Sequence, residues 1–490
     1  MLIKIVNFGP LSECEFDIGK NLTMIVGQNN IGKSYALTLL YLILKRLGEM
    51  IPAPYELFEM DPAYAFRAIW DSDSQIDEIE LIKEKIKGDS SNSSWDITPT
   101  FKKGLETFFS KTLARSLAGA LQGTYGDLGN LVNRFSKKPP EILLQSNIIS
   151  VKLQIKDEKI EVVAVELNRG KILLKESKHE RSPRVLSNGD HACYYSKQNN
   201  EVLQRNYRSL MVELSFALAK DLAKHVSHVH YLPASRSGLY QALSAFGVII
   251  AELSKSRSFL SKKIELPGIS EPLSDYFIKL SEAKPVSKRI ADSIYSTFAS
   301  KIEEEVLRGN IEIDSKSKKL IYRPAGTDLR LDLSSTSSMA SEIGPIVTYL
   351  RHVLSELDTR RTKSRSKDSD AAKQIIFIEE PEAHLHPEVQ VKLIEIIADL
   401  TKQTNTRVIF TSHSNYIFNQ VSNMIIAGKI DLSSFKASLF HINESGTIAS
   451  ELATDSFGID DENFADISEK LYMDRMDLLE EKNKEVNNRD

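Results

Sequence analysis

The sequence predicts an α/β fold in which a central, largely parallel sheet is assembled from both ends of the chain, with antiparallel strands at the N-terminus and a large, mostly helical insertion between. Three observations carry the prediction. The apolar run Leu22-Thr23-Met24-Ile25-Val26 leads through a glycine turn straight into the helix-like stretch Tyr35–Leu42. Near the other end, apolar runs at 374–379, 407–411 and 436–441 alternate with helical periodicity, the rhythm of a parallel sheet. Between these regions, residues 50–140 carry spaced apolar positions without strand alternation. With 490 residues, 41 % hydrophobic and 27 % charged, the chain has material for a sizeable core and roughly two to four domains.

Residues 1–48 read as the N-terminal half of a head domain: a strand at Leu2–Val6, a turn at Phe8-Gly9-Pro10, a strand at Cys14–Ile18, then the strand and helix that flank the glycine turn. Residues 49–228 read as the insertion, helical with polar loops such as Gly88–Ser94, then antiparallel strands over 141–175, where Ile148–Ile155 alternates cleanly. Residues 229–330 lead back to the head through the short strand Val229–Leu232, helix to about 262 and again over 283–308, and a hairpin of Ile311–Ile313 with Leu320–Tyr322. Residues 331–455 supply the second half of the head, and 456–490 a charged helical segment. No internal repeat or sustained heptad run is present, so long coiled arms are not expected. The basic stretch Asp358–Asp368 reads as a solvated loop.

The chemistry is concentrated at the strand ends. Gly27-Gln28-Asn29-Asn30-Ile31-Gly32-Lys33-Ser34 fits G-x-x-x-x-G-K-[ST] between a strand and a helix. Its glycines let successive N–H groups, those of Asn29 and Asn30 among them, converge on phosphates; Lys33 reaches the β/γ-phosphates and the Ser34 hydroxyl can ligate Mg²⁺. ATP or GTP is the expected ligand. Gln374–Glu380 is a buried strand ending in two carboxylates, expected to lie beside the phosphate loop. Glu379 is placed to hold Mg²⁺, and Glu380 to orient and deprotonate the attacking water. Arg407–His413 is a further strand, and His413 at its end is a candidate sensor of the γ-phosphate or of that water. Glu380-Pro381-Glu382-Ala383-His384-Leu385-His386-Pro387 could suggest a metal site, but no further Cys/His cluster completes one, and the segment reads better as a turn after the carboxylate strand that touches a second subunit.

Together, Ile3–Pro10, the phosphate loop with Asn29-Asn30, Tyr231–Arg236, Glu379–Pro387 and Thr411-Ser412-His413-Ser414 resemble the ABC-type ATPases of the OLD and SMC-like group. Within that group the similarity is to the standalone ATPases of bacterial anti-phage systems, those of PARIS first and those of Septu next. The resemblance covers about 1–45 and 330–425 and much less of the middle. It implies an ABC-type P-loop head that pairs with a second head around two ATP molecules, each held between one phosphate loop and a signature serine of the partner. The matching segment here is Ser334–Glu342. Met339 stands where the group has a glycine, which leaves Ser337 and Ser338 both as candidates. Glu379 replaces the usual aspartate; its extra methylene displaces the carboxylate by roughly one C–C bond, ~1.5 Å, so ATP is expected to be bound securely and turned over slowly.

The same resemblance implies partners: a second copy of the chain, a separate toxin or nuclease effector, and a phage product as trigger. Too few residues follow Ser414 for the TOPRIM nuclease domain of the OLD enzymes, and Asp460-Asp461-Glu462 reads as a helix N-terminal cluster, so the effector is expected on another polypeptide. The rival reading is an SMC-like DNA-binding repair ATPase. A net charge of −4 gives no general attraction to nucleic acid, which leaves DNA binding open as a local property. An ABC-transporter subunit is disfavoured by the long separation of Ser34 from Ile375 and by the lack of an LSGGQ-like segment. Two cysteines, Cys14 and Cys193, and no membrane-length apolar run make a reducing, cytoplasmic setting without membrane association the expectation.

Overall fold

The computed structural model describes residues 1–50, 72–88, 94–242 without 169, 178, 180, 188, 198 and 227, and then 269–283, 292–314, 319–356, 374–461 and 464–487. The expected basic loop at 358–368 and the helix expected over 243–262 lie outside the described residues. From the N-terminus, β1 (Leu2–Phe8), β2 (Leu11–Asp17) and β3 (Leu22–Gly27) precede α1 (Lys33–Glu49). Then come α2 (Ser72–Gly88), β4 (Ser94–Asp96), α3 (Thr98–Phe109), α4 (Arg115–Tyr125), β5 (Glu141–Gln145), β6 (Ile149–Lys156), β7 (Lys159–Leu167), β8 (Ile172–Glu176), β9 (Arg184–Val185), β10 (His191–Tyr195) and α5 (Asn200–His225). The return path holds β11 (His228–Leu232), α6 (Glu271–Ser281), α7 (Ile294–Ile302), β12 (Gly309–Ile313), β13 (Leu320–Pro324) and β14 (Leu331–Asp332). The second half holds α8 (Ser338–Thr348), β15 (Gln374–Glu379), α9 (Pro387–Gln403), β16 (Thr406–Thr411), α10 (Asn415–Ile426), β17 (Phe435–Asn443), β18 (Gly446–Glu451), β19 (Thr454–Asp455), β20 (Gly458–Ile459) and α11 (Ala465–Asn487).

One 11-stranded sheet, β11-β15-β16-β3-β17-β18-β2-β1-β5-β6-β7, organises the molecule. From β11 to β17 all neighbours are parallel, and beyond β17 they are antiparallel except β18 with β2. The structure is an α/β P-loop fold. One expectation is corrected. The carboxylate strand β15 is not beside β3, because β16 lies between and pairs with both. Both neighbours of β3 are thus strands of the second half of the chain. Strands of the insertion join the same sheet: β5 takes the open edge of β1, with Ile3 opposite Leu144 and Ile5 opposite Ile142, and β6 and β7 extend the sheet further. An unpaired edge on a strand as apolar as β1 would expose a row of donors and acceptors, and β5 satisfies them.

The parallel strands are apolar on both faces, as expected for strands covered on both sides by helices. On one face Ile25, Ile375, Phe377 and Ile409 pack with Ala36, Leu37 and Leu39–Leu44 of α1. On the other, Met24, Val26, Ile376, Ile378, Val408 and Phe410 pack with Ile343, Leu393 and Phe418 from α8, α9 and α10. Each fully buried side chain of this size contributes about 1.5–3 kcal/mol, so these two layers hold the strand ends in register. α1 is buried nearly all round because the insertion covers the flank that the sheet leaves open: Tyr125 of α4 donates to the Tyr35 carbonyl at 2.9 Å.

Candidate nucleotide-binding site

The C-terminal ends of β3, β15 and β16 carry the predicted residues, and their parallel order brings them together. The turn after β3 runs through Gly27 (φ +140°), Asn30 (φ +61°) and Gly32 (φ +95°) before α1 begins at Lys33. A Cβ on Gly27 would strike the main-chain oxygen of Phe440 on β17, so only glycine passes there. The loop is braced from outside. Thr447 of β18 donates its hydroxyl to the Ile31 carbonyl at 2.6 Å, and the Thr447 N–H bonds Pro10 at 2.9 Å. Gln28, Asn29, Asn30 and Ser34 remain exposed, so the loop's own face is open to a ligand.

Lys33 is 5 % exposed and its ammonium group donates to Gly27 O at 2.9 Å and Gln28 O at 2.5 Å. Two of its three protons are thereby used within the loop. Burial lowers its pKa from 10.5 to about 8, against the opposing pull of Glu380 and Glu382.

Glu379 ends β15 and is nearly buried. Its Oε1 accepts from the Tyr231 hydroxyl at 2.7 Å and its Oε2 from the Ala234 N–H at 3.1 Å. The single Tyr231 proton is committed to Glu379, so the Thr38 hydroxyl, 3.0 Å away on α1, must donate to Tyr231. A relay thus runs from the helix after the phosphate loop, through β11, to the carboxylate. Each carboxylate oxygen keeps a lone pair, so the donor set still fits a hard cation.

Glu380 adopts a left-handed backbone (φ +43°), held by bonds from its N–H to Thr411 O at 3.1 Å and Thr411 Oγ1 at 3.3 Å. A non-glycine residue in that region is strained, and strain of this kind concentrates where a side chain must be aimed. Glu380 Oε1 lies 3.9 Å from His413 Nε2. Burial first, then the Lys33 cation, lowers the His413 pKa, so the ring is neutral at pH 7.

The sequence missed the residues that fix these groups. Glu382 Oε1 accepts from the Ser412 hydroxyl at 2.9 Å and the His413 N–H at 2.6 Å, tying the turn after β15 to the end of β16. In the 380–387 segment Glu382 therefore turns inward, while His384 and His386 are exposed and His386 caps α9. Arg236, fully buried, donates to Glu379 O at 2.9 Å and Glu380 O at 3.2 Å. Tyr231 and Arg236 stood in a segment singled out by resemblance, but nothing in their spacing marks their contacts.

The predicted signature serines lie at the start of α8. Ser337 is the N-cap of α8, its hydroxyl accepting from the Ala340 N–H at 3.3 Å, and Ser338 is the first helical residue. Both are exposed. Among the described residues, no side-chain hydrogen bond joins either serine to the phosphate loop of the same chain.

The family model described as AAA ATPase domain matches residues 1–418. Among curated proteins none matches the chain. Similar solved structures include an Smc head bound to the C-winged helix domain of ScpA, at 11 % identity, 93 % of this chain, 97 % of that chain and a TM-score of 0.38. An Smc head domain with an extended coiled coil, bound to the C-terminal domain of ScpA and derived from Pyrococcus furiosus, shares 12 % identity over 97 % of this chain and 98 % of its own, with a TM-score of 0.36. The SMC head domain from Thermotoga maritima shares 9 % over 92 % and 98 %, with a TM-score of 0.33.

Proposed function

The chain belongs to the AAA ATPase domain family, and from that premise we propose that it binds and slowly hydrolyses ATP between two paired heads, and that this pairing holds and controls a separate toxin or nuclease in a bacterial anti-phage system. The observation that supports it most is the convergence of Lys33, Glu379, Glu380 and His413 at adjoining ends of parallel strands, combined with Ser337 and Ser338 exposed at a helix N-terminus. The defence context rests on the sequence resemblance, nearest to AriA of PARIS with PtuA of Septu as the alternative.

In this reading the N–H groups of Gly27–Ser34 cradle the phosphates, and Lys33 exchanges its loop carbonyls for β/γ-phosphate oxygens. Ser34 and Glu379 hold Mg²⁺, which when bound neutralises charge on the phosphate oxygens. Glu380 accepts a proton from water as its oxygen attacks the γ-phosphorus and the bond to the β-phosphate oxygen breaks, giving ADP and phosphate. The neutral His413 ring hydrogen-bonds the attacking water or the γ-phosphate. Ser337 or Ser338 of the partner copy, with the α8 N-terminus behind it, meets the γ-phosphate from the far side.

The test is purification with ATP and Mg²⁺ of the wild type, Glu380→Gln and Lys33→Ala, with mass measured by light scattering and co-purifying proteins identified by mass spectrometry. We expect Glu380→Gln to be trapped as a dimer or larger assembly with a stoichiometric nuclease or toxin-like partner, and Lys33→Ala to lose both. A lone ATPase that binds DNA tightly, with affinity falling steeply with salt, would replace this reading with the SMC-like DNA-binding one. Among the described residues no helix is long and apolar enough to cross a membrane.

A further inference from the structure

Three segments of the head meet at one guanidinium group. Arg236 and Glu342 are both 0 % exposed. The Arg236 side chain donates to Pro233 O at 2.9 Å, Glu379 O at 2.9 Å, Glu380 O at 3.2 Å and Glu342 O at 3.1 Å, and its Nε stands 3.3 Å from Glu342 Oε2. The Glu342 carboxylate also accepts from the Arg236 N–H at 3.1 Å, the Ser237 N–H at 3.1 Å and the Ser237 hydroxyl at 2.6 Å. Glu342 lies on α8, one turn after Ser338. The main-chain oxygens of Glu379 and Glu380 belong to the carboxylate pair. The N-terminus of α8 and the water-activating end of β15 are therefore clamped to the same planar cation.

We propose that the Arg236–Glu342 clamp couples the two ATP sites of a head pair: ATP seated against α8 of one protomer sets the position of Glu379 and Glu380 in that same protomer's own site. This rests on the head-to-head reading above. Each α8 faces the nucleotide held by the partner's loop, while β15 serves the loop of its own chain, so a rigid link between α8 and β15 makes each site read the occupancy of the other. A guanidinium suits the task because its planar fork fixes several acceptors at once and cannot lose its charge. The device it acts on is already poised, since Glu380 and Ser235, on either side of the clamp, both hold left-handed backbones (φ +43° and +53°). Arg236 and Glu342 are positioning residues in this account; neither touches substrate.

The experiment uses two full-length copies fused by a flexible linker, with Lys33→Ala in one copy only, and compares ATP hydrolysis with the corresponding fusion carrying two intact loops. The single intact loop is then served by a chain whose α8 faces an empty site. With the clamp intact we expect the ratio to fall to about a tenth or less, as for strongly coupled sites. With Glu342→Gln in both copies, or with the milder Ser237→Ala, we expect it to rise to about one half, the value for independent sites. Thermal melting of each variant accompanies the ratio, and Ser237→Ala serves where Glu342→Gln does not fold. A ratio equally low in the clamp variants would overturn the proposal while leaving head pairing intact. A ratio of one half in every background, with the unfused chain dimeric in ATP, would also overturn it. The same one half with an unfused chain that stays monomeric in ATP removes the pairing reading, and the coupling with it.

Discussion

Lys33 links proton and nucleotide. Its ammonium pKa of about 8 in the free protein means that above this pH the side chain is neutral, while the bound phosphates demand the charged form. Binding must then take up a proton, and affinity for ATP should fall as pH rises through 8, by up to about tenfold per unit. Calorimetric titrations between pH 7 and 9.5, in buffers of differing ionisation enthalpy, should show both the fall and the proton uptake; a flat affinity would contradict the assignment. Tyr231→Phe tests the relay to Glu379. It removes one hydroxyl, leaves Glu379 Oε1 without its 2.7 Å donor, and should lower hydrolysis by about 10–100-fold while ATP binding changes little. Lys33, Glu379, Glu380 and His413 were legible in the sequence because each ends or closely follows an apolar strand. Tyr231, Arg236, Glu342 and Glu382 were not, because their roles come from contacts with residues 30 to 148 positions away.

At the scale of elements, the joint between the turn after β15 and the end of β16 depends on Glu382. Glu382→Ala strips the Ser412 hydroxyl and the His413 N–H of their acceptor, which should cost about 1–3 kcal/mol of stability and reduce hydrolysis more than binding. Glu382→Gln keeps an acceptor at Oε1, and its amide replaces an Oε2 that is buried without a partner, so it should be the milder change in melting temperature and rate. The existence of β15, β16 and β17 was readable from their apolar runs. Their order was not, since a strand apolar on both faces says that it is buried but not which strand it adjoins. For the same reason the alternation of 148–155 announced a strand without announcing that it would extend the sheet of the head.

For the whole molecule, the assignment of a signature serine becomes a measurement of assembly. Ser337 caps α8, so Ser337→Ala should destabilise the single chain by about 0.5–2 kcal/mol and weaken ATP-dependent pairing as well. Ser338 makes no cap, and Ser338→Ala should leave melting unchanged; if its hydroxyl is the one that meets the partner's nucleotide, pairing in ATP weakens alone. Melting curves and light scattering on both variants separate the two. The split arrangement, with head segments at both ends of the chain, was legible because each half carries its own motif.

The position of β3 between β16 and β17 also sets a timetable for the chain as it is synthesised. The β1–β2 hairpin can close within its first seventeen residues, but the strand that carries the phosphate loop has no neighbour until residues 406–443 have emerged. Such distant pairings make folding slow and leave Leu22–Val26 unpaired on the nascent chain, a segment for chaperones to shield. Nucleotide, which stabilises only the form that binds it, cannot rescue a partial chain. ATP binding therefore certifies that synthesis has passed β17, and a head truncated before β17 should neither bind nucleotide nor enter an assembly.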